Sequence, residues 1–205
     1  MREEPPLEQV LRYWFGGNDS PVLVAKRQAA LWWNKSSEHD AEIRERFGTL
    51  RAQAVGGALG SWERTSRGLL ALIILVDQMS RHIFREDPQA FEYDHLARQW
   101  CLTGLERGVD RELDLIECVF FYVPLEHSES RAEQHRSVEL YAQLKGRIPA
   151  TERELFSIFL LFELSARKHC AVVERFGRFP HRNRALGRPS SPEELEFLQQ
   201  PGSSF

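Results

Sequence analysis

The chain lacks the features that most readily give a function away. Its three cysteines, Cys101, Cys118 and Cys170, are far apart and form no CxxC pair, so neither a zinc knuckle nor a disulfide framework is indicated. Each lies in an apolar helical context and reads as a reduced core residue of a cytoplasmic protein. There is no surplus of positive charge: the net charge is −3 and the pI about 6.2. General nucleic-acid binding needs a basic face to neutralise phosphates, so that class is set aside. The longest wholly apolar runs are eight residues, as in Leu69–Val76, against the ~20 that a membrane-spanning helix requires. The N-terminal MREEPPLEQV holds no apolar signal-peptide core, so no membrane association is expected. Walker A, GxGxxG, GxSxG and HExxH patterns are missing. No run reads as a strand, and no linker is long enough to divide domains. The roughly 34-residue self-similarity of a tetratricopeptide array is missing as well.

What is present is helical periodicity. Leu7, Val10, Leu11, Trp14 and Phe15 form one apolar stripe, ended by Gly16-Gly17. Ser20-Pro21 opens a second helix through Trp32 and Trp33, a pair better suited to packing than to stacking on a base. Ile43, Phe47, Leu50 and Ala54 stripe a third, ended by Gly56-Gly57. A fourth is expected over about 67–84. Asp87-Pro88 is expected to cap a fifth to about Glu106, and Asp110 a sixth to His127. Ser130–Glu133, Thr151–Glu154 and Ser191–Glu194 have the spacing of capping boxes and open a seventh, an eighth (to Phe176, stopped by Gly177) and a short ninth. Residues 1–205 thus read as one all-α domain, an antiparallel array of about nine helices.

Helices four, six and eight differ from the rest. Leu69–Val76, Cys118–Leu125 (with Pro124 inside it) and Leu155–Leu164 are apolar nearly all round, which predicts burial. Each then ends in polar residues: Asp77, Gln78, Arg81, His82 and Arg85; Glu126, His127, Ser128 and Glu129; Arg167, Lys168 and His169. Short connections make successive helices antiparallel, so alternate helices are parallel and these three polar ends fall on one side of the molecule. Glu126 and Glu129 oppose the negative end of their own helix dipole and need cations from the other clusters.

Directly after helix eight comes RFGRFPHRN, Arg175–Asn183, extended by Leu186-Gly187-Arg188. Between Arg175 and Arg188 there are five arginines, one histidine and no carboxylate. Guanidinium forks suit carboxylates and phosphates. Two readings stay open, a built anion site and a structural Arg–Glu network closing one end of the bundle. The spacing alone also allows simple pairs: Asp77 with Arg81 and Gln78 with His82, four residues apart.

The chain resembles the mostly bacterial family known as domain of unknown function 924. The resemblance is carried by VLRYWFGG (10–17), IRERFG (43–48), RGLLALIILVDQMSRHIFR (67–85), FFYVPLEHSE (120–129), RFGRFPHRN (175–183), LGR (186–188) and the closing PGSSF. It implies a helical array similar to the tetratricopeptide-like superhelix and no established activity. Where the family pattern reads DQFPRN this chain has DQMSRH, so Met79, Ser80 and His82 depart from it.

Three functions compete. In the first, a small anionic, phosphate- or carboxylate-bearing ligand is held by residues drawn from Asp77, Gln78, Arg81, Arg85, Glu126, His127, Glu129, His169, Arg175, Arg178, His181, Arg182 and Asn183. Glu126, Glu129 and His181 are then the acid–base candidates. In the second, the helices form a scaffold for a protein partner. In the third, His127 and His169 with Glu126 and Glu129 hold a metal ion, although no ExxH pair has ferritin-like spacing. The sequence points to no particular cofactor and does not say whether the protein is an enzyme. Asp77, Arg81, Glu126, His127, His169 and Arg178 are expected to meet, with Glu126 or Glu129 paired to an arginine from another segment.

Overall fold

A helix must bury its apolar stripe against another, and the described residues form ten α-helical segments that do so around one large core and a smaller cluster of Val172, Val173 and Phe179, on which Phe197 packs. The computed structural model describes residues 4–17, 19–149 and 151–203; residues 1–3, 18 and 150 and the last two residues of PGSSF lie outside this range. The segments are α1 (Pro6–Phe15), α2 (Pro21–Trp33), α3 (Ser37–Val55), α4 (Ser66–Ile73), α5 (Met79–Ile83), α6 (Asp94–Arg107), α7 (Leu115–Glu126), α8 (Arg131–Gly146), α9 (Arg153–Phe176) and α10 (Pro192–Leu198). α4 and α5 are one rod, joined by a π-turn at Ile74–Gln78, so the described residues form nine rods. No strand occurs among them.

The stripe of α1 behaves as its spacing predicts: Val10, Leu11, Trp14 and Phe15 are buried. Phe120 of α7 is the hub they meet, with Trp14, Phe15 and Trp32 rings 5.5, 5.5 and 4.6 Å from it. Leu69–Val76 and Cys118–Leu125 are buried throughout, as their unbroken apolar character requires. α9 is not. Leu161 is 67% exposed and Leu164 43%, because α9 lies at the outside and presents one face to α8 and the core.

Helix starts depart most from the sequence reading. Asp87 caps a three-residue 3-10 turn, Pro88–Ala90, and α6 begins only at Asp94. Asp110 lies in another 3-10 turn, Val109–Arg111, and accepts the Tyr122 hydroxyl at 2.9 Å. α7 is opened instead by Asp114, whose N–H donates to Glu117 in a capping box. Of the three predicted boxes, Ser191–Glu194 forms. The other two do not: Glu133 accepts from Ser128 instead, and α9 starts one residue later than the box requires, with Glu152 in the N-cap position and Glu154 paired at the surface with Lys26. Gly177 ends α9 at φ +69°, in the left-handed region where a side chain would be strained.

Candidate functional site at the ends of three helices

The rods α4–α5, α7 and α9 bring their C-terminal ends together, as the alternation argument predicts. Asp77, in the π-turn, is fully buried and accepts the His127 Nδ1–H with both carboxylate oxygens, each at 2.9 Å. Gln78 Nε2 donates to Asp77 at 2.6 Å, and Arg81 lies 3.3 Å from its second oxygen. Glu126, the residue before His127, forms a second pair with His169, Nδ1 at 2.9 Å, and accepts the Ser165 hydroxyl at 2.7 Å. The two imidazoles lie 6.2 Å apart between ring centres. Phe179 continues the row at 5.6 Å from His169, and His181 at 5.6 Å from Phe179.

The π-turn matters locally. The Met79 N–H reaches back five residues to the Ile74 carbonyl, which puts one extra residue into the rod. Such turns recur at functional sites because they re-aim side chains without breaking the helix. The turn lies in a stretch apolar on every side, so no periodic stripe in the sequence could mark the shift in phase.

A second layer lies over these pairs. Arg81 grips Asp94 with both terminal nitrogens, at 3.1 and 3.0 Å. Arg182 reaches the same carboxylate at 3.3 Å. Its guanidinium is sandwiched between Phe91 and Phe179, 4.8 and 4.6 Å from the ring centres. Two arginines therefore share one aspartate, and the buried Arg182 Nε has no acceptor. Asp94 is the participant the sequence reading missed. It opens α6, and an antiparallel neighbour places the start of α6 beside the end of α5. The same alternation rule would have found it.

Charge and burial set the protonation states. Burial opposes ionisation of Asp77, but Arg81, His127 and Gln78 outweigh it and hold its pKa below the ordinary carboxylate value. Glu126 is likewise held low, with His169 and His127 overcoming burial. Burial and Arg81 push His127 down despite Asp77. His181 falls furthest, to about 3, through burial and then the charges of Arg182, His169, His127 and Arg81. Arg182 is lowered to about 10 by burial and by Arg81. The Asp77 and Glu126 side chains lie deep, at 0% and 8% exposure, and His169 and Arg182 lie as deep at 6% and 7%, whereas His127 and Arg81, at 16% and 21%, come nearer the surface. A carboxylate behind Nδ1 fixes the imidazole tautomer and aims Nε2 away from it, the arrangement used by general bases.

The remaining predicted residues go elsewhere. Arg178, expected in the cluster, instead grips Glu194 at 2.6 and 2.8 Å. Arg175 pairs with Glu193 at the surface. Asn183 ties Ser190 and Glu194 to the loop. Glu129 does pair with a distant arginine, as expected: Arg188 donates twice, at 2.6 and 2.8 Å, and the Phe179 N–H adds a third bond. Arg85 joins Asp40 and His82 in a separate triad, with two bonds of 2.6 Å from Arg85 and 2.8 Å from His82. Two surface clefts of about 270 and 310 Å³ also lie apart from the cluster. One is lined by Leu69, Trp100 and Arg107, the other by Arg12, Arg67 and Glu117. Among the described residues the ligating atoms of His127, His169, Glu126 and Glu129 do not gather into a metal-sized group; those of His135, Cys170 and Glu174 do.

The family model described as "Bacterial protein of unknown function (DUF924)" matches residues 10–202. The chain is also similar to a solved structure of a protein of unknown function from Agrobacterium tumefaciens. The two share 30% identity and a TM-score of 0.78, over 94% of this chain and 96% of the other. No curated protein matches the chain. Among the described residues no helix is long and apolar enough to cross a membrane.

Proposed function

The chain belongs to the DUF924 family, and since that family's description assigns no reaction, we propose from the site alone that the protein binds a small anionic ligand at the three helix ends. Arg81 and Arg182 would hold its carboxylate or phosphate. His127, backed by Asp77, would be the group positioned to move a proton. The observation that supports this most is the donor surplus. Two guanidiniums carry ten N–H groups; they share Asp94, Arg81 also reaches Asp77, and the buried Arg182 Nε is still left without an acceptor. A buried unmet donor costs about 1–3 kcal/mol, and an oxyanion entering beside Asp94 would satisfy it.

The test is calorimetric and thermal titration with phosphate, sulfate and a dicarboxylate, on the wild type and on Arg182→Lys. Lysine keeps the charge and loses the fork. Saturable binding should stabilise the wild type by about 2.7 kcal/mol at a hundredfold excess over Kd and fall at least tenfold in affinity in the variant. If none of the anions shifts the melting temperature, the ligand reading fails and the cluster is an ion-pair network. A second reading, a tetratricopeptide-like scaffold for a protein partner, rests on the exposed Trp33, Leu161 and Leu164.

A further inference from the structure

α8 and α9 run side by side in opposite directions, with Arg131 at the start of α8 against Glu174 near the end of α9 and Lys145 against Glu163 at the other end. At the Arg131 end, three residues with metal-binding chemistry share one surface. His135 comes from α8. Cys170 and Glu174 are one turn apart on α9 and so lie on the same face. One ligand atom from each lies within 4.8 Å of the others. His135 Nε2 already sits 2.9 Å from Glu174 Oε1.

We propose that His135, Cys170 and Glu174 form a surface site for a divalent transition ion, Zn2+ above all. The donor set decides the class of ion. Thiolate with imidazole selects a borderline-soft ion, whereas Mg2+ and Ca2+ require oxygen ligands. Donors bound tetrahedrally at Zn–N and Zn–S distances lie about 3.4–3.7 Å apart, so seating an ion needs His135 and Glu174 to part slightly from 2.9 Å and Cys170 to close by about 1 Å at most. The exposed side chains of His135 and Glu174 are free to make it by rotamer change, since α8 and α9 themselves need not move. Glu174 is divided in its attachments: Oε1 faces His135 while Oε2 lies 3.9 Å from Arg131 Nε. Arg131 also donates to the Glu174 carbonyl at 3.1 Å. Arg131 can therefore orient the carboxylate while Oε1 ligates, the usual task of a group behind a metal ligand. Three protein ligands leave a fourth position for water or a partner's side chain. The site shares no residue with the anion cluster: His169 precedes Cys170 in sequence but turns inward to Glu126.

The experiment is titration of the reduced full-length protein with Zn2+ by equilibrium dialysis, and with Co2+ by absorption spectroscopy. One equivalent should bind, and Co2+ should give a near-ultraviolet thiolate charge-transfer band with tetrahedral visible bands. Cys170→Ser should abolish the charge-transfer band, and His135→Ala should weaken Zn2+ binding at least tenfold. His135 is exposed and Cys170 half-buried, and serine is close to cysteine in size, so the helical circular-dichroism spectrum should not change. Arg182→Lys should leave metal binding intact, which separates this result from the fate of the anion site. Absence of the charge-transfer band in the wild type, or Zn2+ binding of equal strength in Cys170→Ser, would overturn the proposal.

Discussion

Arg175 and Arg178 lie outward on the molecule, held by Glu193 and Glu194 of α10. Four residues after Arg178, Arg182 lies sealed between two phenyl rings, 7% exposed, sharing Asp94 with Arg81. The two halves of this arginine-rich segment have the same residue types and opposite surroundings. In the outer half both positive charges meet a carboxylate and keep contact with water: Arg175 and Glu193 are both exposed, where an ion pair is worth ~0–1 kcal/mol, and Arg178 is part exposed over the buried Glu194. In the inner half the buried Arg182 Nε is left without an acceptor, and desolvation makes such an imbalance expensive. The 3-10 turn Pro180–Arg182 divides the two regimes, with Phe179 at its head, 0% exposed, as the seal.

The comparison can be broken in order of expected effect. Asp77→Ala removes the fully buried carboxylate beneath the inner half, strands His127 and leaves Arg81 with the Asp94 carboxylate. It should cost about 3–5 kcal/mol, read as the drop in urea midpoint. Asp94→Ala takes away the acceptor shared by two guanidiniums, in a partly open position, and should cost about 1.5–3 kcal/mol. An inner-half cost no larger than that of an outer-half pair would end the distinction.

Acid titration sharpens it. The folded pKa of His181, about 3, lies below the unfolded value of 6.5. The unfolded chain therefore binds more protons throughout that window. Stability is full above about pH 6.5 and is lost as pH falls toward 3, by at most about 1.4 kcal/mol per pH unit per proton. His127 and His82 are shifted the same way, so His181→Gln should flatten the slope between pH 6.5 and 5 without abolishing it. An unchanged slope would mean that His181 does not carry the effect. In the outer half, Glu194→Ala loses the α10 capping box along with its pair to Arg178 and should cost about 1 kcal/mol. Arg175→Ala should fall within about 0.5 kcal/mol of the wild type.

The sequence made the architecture legible wherever one physical cue acted alone. Glycine ends such as Gly16 and Gly177 and the stripe of α1 needed only backbone sterics and period 3.6. The meeting of Asp77, Glu126, His127 and His169 came from counting short connections. Helix starts read less well, because a serine or threonine three residues before an acid has the spacing of a cap even when Ser128 takes the acid, as for Glu133, or the helix starts one residue later, as α9 does at Arg153. The same competition sent Arg178 outward. Glu194 reads in the sequence as a helix cap alone, yet its one carboxylate accepts from the Ser191 N–H, Asn183 and Arg178 together. Asp94 stayed hidden for the opposite reason: it belongs to no motif, and only its place opposite the end of α5 gives it a role.

The π-turn at Ile74–Gln78 has a consequence for how this rod tolerates changes in length. It stores one residue more than the α-helix on either side of it. Removing a single apolar residue from the turn, Leu75 or Val76, would let the rod close to regular α-helix with its two parts still in phase, because the wide turn already absorbs the ~100° of rotation that each residue adds in a regular helix. Arg81 would keep facing Asp94, and Arg85 Asp40, while Leu69–Ile73 kept their places in the core. The rod should therefore accept a one-residue deletion inside the turn far more readily than an insertion there, which has no slack to draw on and would swing Arg81 and Arg85 away from their partners.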